Sequence, residues 1–153
     1  MSCHHPLTRA DVTELIVAER IQRGIRWSQV AEELGASKEW TTAACLGQMA
    51  FNEDQAQVVV RIFNLPAEAS HILRAPPYKG SLPTGVPTDP LIYRLHEIMA
   101  GYGRTIKELV NDEFGDGIMS GIDFRMDLSR ESDPAGDRVR IVLSGKFLGR
   151  KEF

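Results

Sequence analysis

Among the side chains that can hold charges or move protons, Arg94, Glu97 and Ser120 are the three whose positions in the sequence most suggest a site. Arg94 and Glu97 are three residues apart in a segment with helical periodicity, so both lie on one face of the predicted helix. Ser120 is the one polar side chain on the apolar face of a predicted strand. Taken singly, the pair is typical of a surface ion pair and the hydroxyl of a core group satisfied by backbone. They form a site only if the fold brings them together.

Other candidate sites have weaker support. Cys3, His4 and His5 are metal-ligand types, but no second cluster with ligand spacing accompanies them. The Gly115–Gly117 turn precedes a predicted strand, whereas a dinucleotide phosphate loop follows one. Ser120 lacks the flanking glycines of a hydrolase nucleophile elbow. We therefore expect no metal site, no nucleotide cradle and no Ser-His-acid hydrolase.

Length and composition are those of an ordinary globular protein. The chain has 153 residues, of which 42% are hydrophobic and 25% charged, enough for one average domain or two small ones. No apolar run approaches the roughly 20 residues of a membrane span, and the first residues do not resemble a signal peptide. Two cysteines cannot form a disulfide framework. We expect a soluble, cytoplasmic protein that does not contact membranes.

The charge distribution argues against nucleic-acid binding. The net charge is −3, and residues 1–75 hold seven Lys/Arg against nine Asp/Glu. Residues 27–46 have the length and the central glycine of a helix-turn-helix, which keeps a DNA-binding regulator as an alternative. The candidate recognition helix, residues 38–45, offers one lysine and no arginine, asparagine or glutamine for base edges. A structural helical bundle is therefore the favoured interpretation.

The first half of the chain predicts five short helices. Apolar residues recur at helical spacing between residues that start and stop helices. The predicted starts are Thr8, Ser28, Ser37, Asn52 and Pro66, and Gly24 and Gly35 are predicted ends. Five of the eight prolines then fall between residues 75 and 90. We expect a helical bundle at residues 1–75 and a proline-rich linker at 76–89.

The second half predicts an α+β domain at residues 90–153. Asp89 and Pro90 start a helix that is expected to end at Gly101, and a second helix is expected from Thr105 to Phe114. From residue 118 the apolar period changes to two, which predicts a half-buried strand with residues 118, 120, 122, 124, 126 and 128 on one face. A turn at residues 133–136 and a second strand complete a hairpin. Two strands alone are marginal in water, so we expect an oligomer.

Several motifs resemble those of the cyanate hydratase family, also called cyanase or cyanate lyase. They are Tyr-Arg-Leu-His-Glu-Ile-Met at 93–99, Tyr-Gly-Arg-Thr-Ile-Lys-Glu-Leu at 102–109 and Phe-Gly-Asp-Gly-Ile-Met-Ser-Gly-Ile-Asp-Phe at 114–124. The ending Val-Leu-Ser-Gly-Lys-Phe-Leu at 142–148 and the segment at 27–35 are similar to the family as well. The resemblance extends from about Leu7 to Phe153.

The resemblance implies both a fold and a reaction. It implies an N-terminal bundle similar to that of helix-turn-helix repressors, which does not serve DNA binding, and a C-terminal dimerisation domain with interlocked strands. Five dimers are implied to form a decamer. The implied reaction combines cyanate with bicarbonate; carbon dioxide leaves, and the remaining carbamate gives ammonia and a second carbon dioxide. No metal or organic cofactor is implied, because bicarbonate is a co-substrate.

The family's catalytic Arg, Glu and Ser correspond to Arg94, Glu97 and Ser120. Arg94 would hold the two anions, Glu97 would orient Arg94 and could handle a proton, and Ser120 would donate a hydrogen bond to an anion or to developing charge. Gly121 stands where other members can carry alanine. Two alternatives remain: a helix-turn-helix regulator with an anionic effector, and a silent oligomeric protein that binds the anions without turnover.

Overall fold

The computed structural model describes residues 6–80 and 82–151. The chain divides into two compact units, Met1–Ser81 and Leu82–Phe153, at a point inside the segment predicted as a linker. The helices and strands, in chain order, are α1 Arg9–Arg23, α2 Trp27–Leu34, α3 Lys38–Cys45, α4 Glu53–Ile62, α5 Ala69–Arg74, α6 Pro90–Phe114, β1 Gly117–Glu131 and β2 Arg138–Gly149. This order of elements confirms the α+β class. The linker role of residues 76–89 stays a prediction.

Most helix ends of the first unit are where the sequence predicts them. Thr8 starts α1 with a reciprocal capping box, and Gly24 ends it with a φ of 65°. Ser37 caps α3, and Asn52 caps α4 through a second capping box with Gln55. Side chains that replace the missing backbone partners thus fix these ends.

Two predicted helix starts are wrong by two residues. Ser28 does not cap α2; the helix begins at Trp27, and the Arg26 backbone N–H donates to Gln29 Oε1 at 2.8 Å. The Gln29 N–H, which a cap side chain would have satisfied, donates to the Arg26 carbonyl instead. With Pro66 in its first turn, the fifth helix is predicted to run from Ala67, but α5 begins at Ala69, because the N–H groups of Ala69 and Ser70 reach back only three residues, in tighter turns.

The first unit has a closed apolar core. Trp40 packs edge-on against Phe51, with ring centroids 5.6 Å apart. The buried apolar residues come from all five helices and the turns between them: Val12, Ile16, Val30, Ala44, Cys45, Phe51, Ala56, Val59, Phe63, Leu65, Ala69 and Leu73. Burial of this apolar stripe from each helix is what stabilises such short helices.

In the second unit, α6 is a single helix of 25 residues. Asp89 Oδ1 accepts hydrogen bonds from the N–H groups of Leu91 and Ile92, and so starts the helix as predicted. The predicted end at Gly101 and the separate helix from Thr105 are wrong. A helical glycine costs about 1 kcal/mol relative to alanine, which apolar periodicity on both sides outweighs. Gly101 does not adopt a positive φ.

The two strands form the predicted antiparallel hairpin, with a turn in which Gly136 N–H donates to the Asp133 carbonyl. Phe124 pairs with Gly145, and Met126 with Leu143. The prediction of one uninterrupted apolar face along β1 is wrong, because the register shifts between Met119 and Phe124. Ser120 is buried there, whereas Ile122 is 99% exposed. The two residues therefore do not share a buried face.

Burial in the second unit is sparse. Among its described residues only Pro87 and Ser120 are buried, and α6 contains no buried residue. The predicted half-burial of β1 therefore does not occur within one chain. Over the described ranges, no helix is both long and apolar enough to cross a membrane.

Candidate active site

Arg94 and Glu97 lie on one face of α6, near its start. Arg94 Nη1 and Glu97 Oε2 are 2.5 Å apart, and the Arg94 side chain is 72% exposed. In water such an exposed pair contributes little to stability. The ion pair instead orients Arg94, because the contact with Glu97 limits the directions in which the guanidinium can point. The other donors of the guanidinium fork remain available to a ligand.

Ser120 is held in a turn of its own backbone. Its Oγ accepts hydrogen bonds from the backbone N–H of Ile122 at 3.1 Å and of Asp123 at 2.9 Å. Both are contacts in which the oxygen accepts, so the hydroxyl proton is left to donate. This arrangement turns a buried serine into a fixed hydrogen-bond donor.

The turn around Ser120 is a large, irregular bulge in the hairpin. Met119 pairs with Phe147 and Phe124 with Gly145, so residues 120–123 of β1 stand opposite Lys146 alone. Such bulges re-aim side chains and occur next to active sites. Sequence reasoning missed this feature, although Gly121 inside a strand pattern is the kind of signal that indicates a bulge. An open groove beside it is lined by Asp123, Phe124, Arg125, Ser144, Gly145 and Lys146.

One chain brings together only part of the predicted site. Arg94 and Glu97 contact each other. Ser120 bonds to its own bulge, and within the described part of the chain it makes no hydrogen bond to Arg94 or Glu97. The helix face and the bulge are thus two separate halves of the candidate site.

The described residues contain no cluster of His, Cys, Asp and Glu side chains that could hold a metal ion. Cys3, His4 and His5, the metal-ligand types noted in the sequence, lie outside the described residues. Cys45 is buried in the core of the first unit, where burial raises the pKa of its thiol to about 12 against an opposing effect of Arg9. A thiol held in this protonated form is a poor nucleophile and metal ligand.

The helix-turn-helix segment of the first unit offers little to a DNA duplex. Lys38, the one basic residue of α3, forms an ion pair with Glu39. Thr41, Ala44 and Cys45 of the same helix are buried. α3 thus buries one face in the core and pairs its lysine within the helix; the absence of nucleic-acid binding stays a prediction from the charge distribution.

Comparison with known proteins gives matches over nearly the whole chain. The model of the cyanate hydratase N-terminal region matches residues 9–77, and that of the cyanate lyase C-terminal domain matches residues 84–152. Proteins named cyanate hydratase from Cupriavidus necator and Variovorax paradoxus are 63% and 59% identical over 147 residues, which is 96% of this chain and 100% of each relative. A crystal structure of cyanase from T. urticae superposes with a TM-score of 0.78 at 29% identity, over 90% of this chain and 96% of that one.

Both units of the chain are therefore matched, each by its own part of one family and in the same order. The identity to the bacterial relatives covers their full length, so neither unit is an addition to the family fold. The resemblance seen in the motifs at residues 93–124 is confirmed by these matches. The chain belongs to the cyanate hydratase family of carbon–nitrogen lyases.

Proposed function

We propose that this chain decomposes cyanate in a bicarbonate-dependent reaction at a site built from Arg94, Glu97 and Ser120. A bicarbonate oxygen attacks the cyanate carbon, and the cyanate nitrogen takes up the proton of bicarbonate and one further proton. Cleavage of the former bicarbonate C–O bond releases carbon dioxide and leaves carbamate, which takes up a second proton and separates into ammonia and carbon dioxide. The observation that supports this site best is Ser120, a hydroxyl fixed as a donor by two backbone amides.

Arg94 addresses the first physical difficulty, which is that both substrates are anions. Its guanidinium stays charged at any working pH and presents a planar fork that suits carboxylate-like oxygens. With its side chain 72% exposed in the single chain, it is free to face a ligand. Holding both anions together also removes the entropic cost of their encounter.

Glu97 has a positioning role and a candidate proton role. A carboxylate next to anions repels them unless its charge is matched, and its contact with Arg94 provides that match. The reaction consumes protons at the cyanate nitrogen, and Glu97 is our candidate for delivering one. Ser120 then stabilises the charge that develops on oxygen during the attack.

A second copy of the chain would complete the site. Among the described residues of one chain, Ser120 makes no hydrogen bond to Arg94 or Glu97, and nearby apolar residues such as Leu95 and Met119 are exposed. We infer a homodimer with interlocked strands, and five such dimers in a decamer, in which symmetry-related copies bring Arg94 side chains and Ser120 hydroxyls to shared sites. Multi-angle light scattering on the purified protein tests this, and a monomer at working concentration would contradict it.

The proposed reaction needs no metal or organic cofactor, because bicarbonate supplies the attacking oxygen. Dialysis against a chelator should therefore leave the rate of ammonia release unchanged, and a loss restored by a metal would contradict the proposal. We also place the protein in the cytoplasm, which cell fractionation can test.

The deciding experiment measures ammonia release from cyanate with and without added bicarbonate. Arg94→Ala should abolish the release, and Arg94→Lys should lower it about 10²-fold, because a point charge does not reproduce the bidentate fork. Arg130→Ala is the matched control, since Arg130 forms its exposed ion pair with Asp137 at the hairpin turn. An Arg94→Lys enzyme with full activity would remove the bidentate role. A folded oligomer that releases no ammonia would be a silent anion-binding protein.

Two further substitutions separate the other roles. Ser120→Ala should lower the turnover rate about 10²-fold, as the loss of one donor to developing charge does elsewhere, while the protein stays folded. Glu97→Gln keeps the shape of the side chain and removes its ability to deliver a proton. If the pH profile of Glu97→Gln matches that of the unsubstituted enzyme, the proton role is wrong and positioning alone remains.

A further inference from the structure

Gly145 lies across the hairpin from the Ser120 bulge, where it pairs with Phe124. A Cβ atom added at residue 145 would stand 2.5 Å from the Ser120 backbone oxygen and 2.5 Å from Met119 Cγ. Atoms in folded proteins do not approach so closely, so a methyl group would force one strand to move. Gly145 is not among the glycines with positive φ. Glycine is therefore required here because a side chain has no room, and not because of the backbone conformation.

We propose that Gly145 is a positioning residue for Ser120, an inference that rests on the role proposed above for that serine. Two atoms are equally close to the missing Cβ, and one of them is the carbonyl oxygen of Ser120 itself. The Met119 side chain can rotate away, but relief of the clash with this oxygen must move the backbone that carries the hydroxyl. That movement would disturb the bonds that Ser120 Oγ accepts from Ile122 and Asp123. Gly145 thus acts through Ser120 and touches no substrate.

Two other glycines of the hairpin provide matched controls. A Cβ at Gly149, at the end of β2 and outside the bulge, would meet only Phe147 Cε1, at an ordinary contact distance of 3.6 Å. A Cβ at Gly117 would collide with the Leu148 carbonyl oxygen and the Phe147 ring, a clash as close as that at Gly145 but directed at β2 and not at Ser120. Gly149→Ala therefore controls for the added methyl group, and Gly117→Ala for a steric clash in the hairpin.

The kinetic test measures kcat for the three alanine variants, each with and without Ser120→Ala. Gly145→Ala should lower kcat about 10²-fold, the loss that a displacement of about 1 Å produces in a positioned catalytic group. In the Ser120→Ala background the same change should cost less than about twofold, because the group that it displaces is gone. Gly149→Ala should keep kcat within about twofold, and any loss from Gly117→Ala should be the same in both backgrounds.

A second measurement does not depend on activity. Amide hydrogen exchange, read on the assembled protein, reports the protection of Ile122 and Asp123, whose N–H groups bond to Ser120 Oγ. Gly145→Ala should accelerate exchange at these two amides as much as Ser120→Ala does. Combining the two substitutions should add nothing further. Gly117→Ala should leave both amides protected.

Three outcomes would overturn the inference. They are full activity in Gly145→Ala, an equal kcat loss with and without Ser120, and unchanged protection at residues 122 and 123. If Gly145→Ala does not fold or assemble, Met119→Ala/Gly145→Ala removes the contact with Met119 Cγ and keeps the one with Ser120. This double variant must fold and show the same exchange change, or the inference fails. Full activity in Ser120→Ala would instead refute the proposed role of Ser120 in the reaction. The exchange measurement alone would then show whether Gly145 positions the Ser120 side chain.

Discussion

The two units of this chain are similar in length and differ in how they bury apolar side chains. In the first unit, five short helices enclose a core in which Ile16, Phe63 and Leu73 have no exposed surface. In the second, most apolar side chains of the helix and the hairpin stay exposed, and Ser120 is the one buried residue of the hairpin among those described. One unit is closed by itself, and the other presents an apolar surface.

This difference bears directly on the site. Extended apolar surfaces on soluble proteins mark places where another molecule packs. Met126 and Leu143 are directly opposite each other on the hairpin and are 40% and 49% exposed, which is the pattern of a sheet face that needs a cover. Arg94, Glu97 and Ser120 all belong to this open unit. We infer that the contacts that cover the apolar face also bring the two halves of the site together.

The largest effect is expected from a charge placed on the apolar hairpin face. Leu143→Asp should dissociate the protein and abolish ammonia release, because a buried carboxylate without a partner costs about 3–5 kcal/mol in each copy. The mass from light scattering is the measurement. Ser144→Asp is the control, since Ser144 lies on the opposite face, across from Arg125. An intact and active Leu143→Asp oligomer would mean that this face is not covered.

The same aromatic truncation in both units should have different consequences. Phe63→Ala should lower the free energy of unfolding of the first unit by about 3–5 kcal/mol, because Phe63 is fully buried within the chain. Phe124→Ala should leave the first unit unchanged and should weaken assembly, since Phe124 is 39% exposed in the single chain. Circular dichroism melting and light scattering as a function of protein concentration separate the two effects. If Phe124→Ala loses its helical signal at as low a temperature as Phe63→Ala does, the two units do not differ in the way described.

High pH should destabilise the first unit through Cys45. Burial raises the pKa of the thiol from 9.0 to about 12, so between these values the folded chain keeps a proton that the unfolded chain has lost. The unfolded state then binds fewer protons, and stability falls as pH rises through this range. The melting temperature of the first unit should therefore decrease from pH 9 upward. Cys45→Ala should remove the part of this decrease that comes from the thiol. If the melting temperature of the variant falls with pH as steeply as before, other groups cause the decrease.

The predictions from sequence succeeded where short-range chemistry decides the structure. The caps at Thr8, Ser37, Asn52 and Asp89 and the end at Gly24 depend on residues within one helical turn. The pairing of Arg94 with Glu97 was predictable for the same reason. The bulge at residues 120–123 was not, because its position depends on which residue of β2 faces it. Alternation along one strand carries no information on that register.

The wrong prediction of a break at Gly101 has a different cause. Glycine indicates a helix end when the residue takes a left-handed conformation, as Gly24 and Gly35 do. Gly101 has the same side chain but no positive φ, and α6 continues through it for 13 more residues to Phe114. Residue type alone does not distinguish the two situations. The cost of an interior glycine, about 1 kcal/mol, is small enough for the apolar pattern on either side to overcome.

Gly101→Ala measures this cost and is the smallest effect expected here. A Cβ at residue 101 meets nothing within 4 Å in the single chain, so alanine fits and should stabilise α6 by about 0.5–1 kcal/mol. The melting temperature of the assembled protein should rise by a few degrees, with ammonia release unchanged. Gly136→Ala is the contrasting control, because its φ of 127° makes alanine strained and destabilising. If Gly101→Ala instead weakens the oligomer, a partner's backbone packs against the helix at this glycine, and the covering contacts of the open unit extend to the middle of α6.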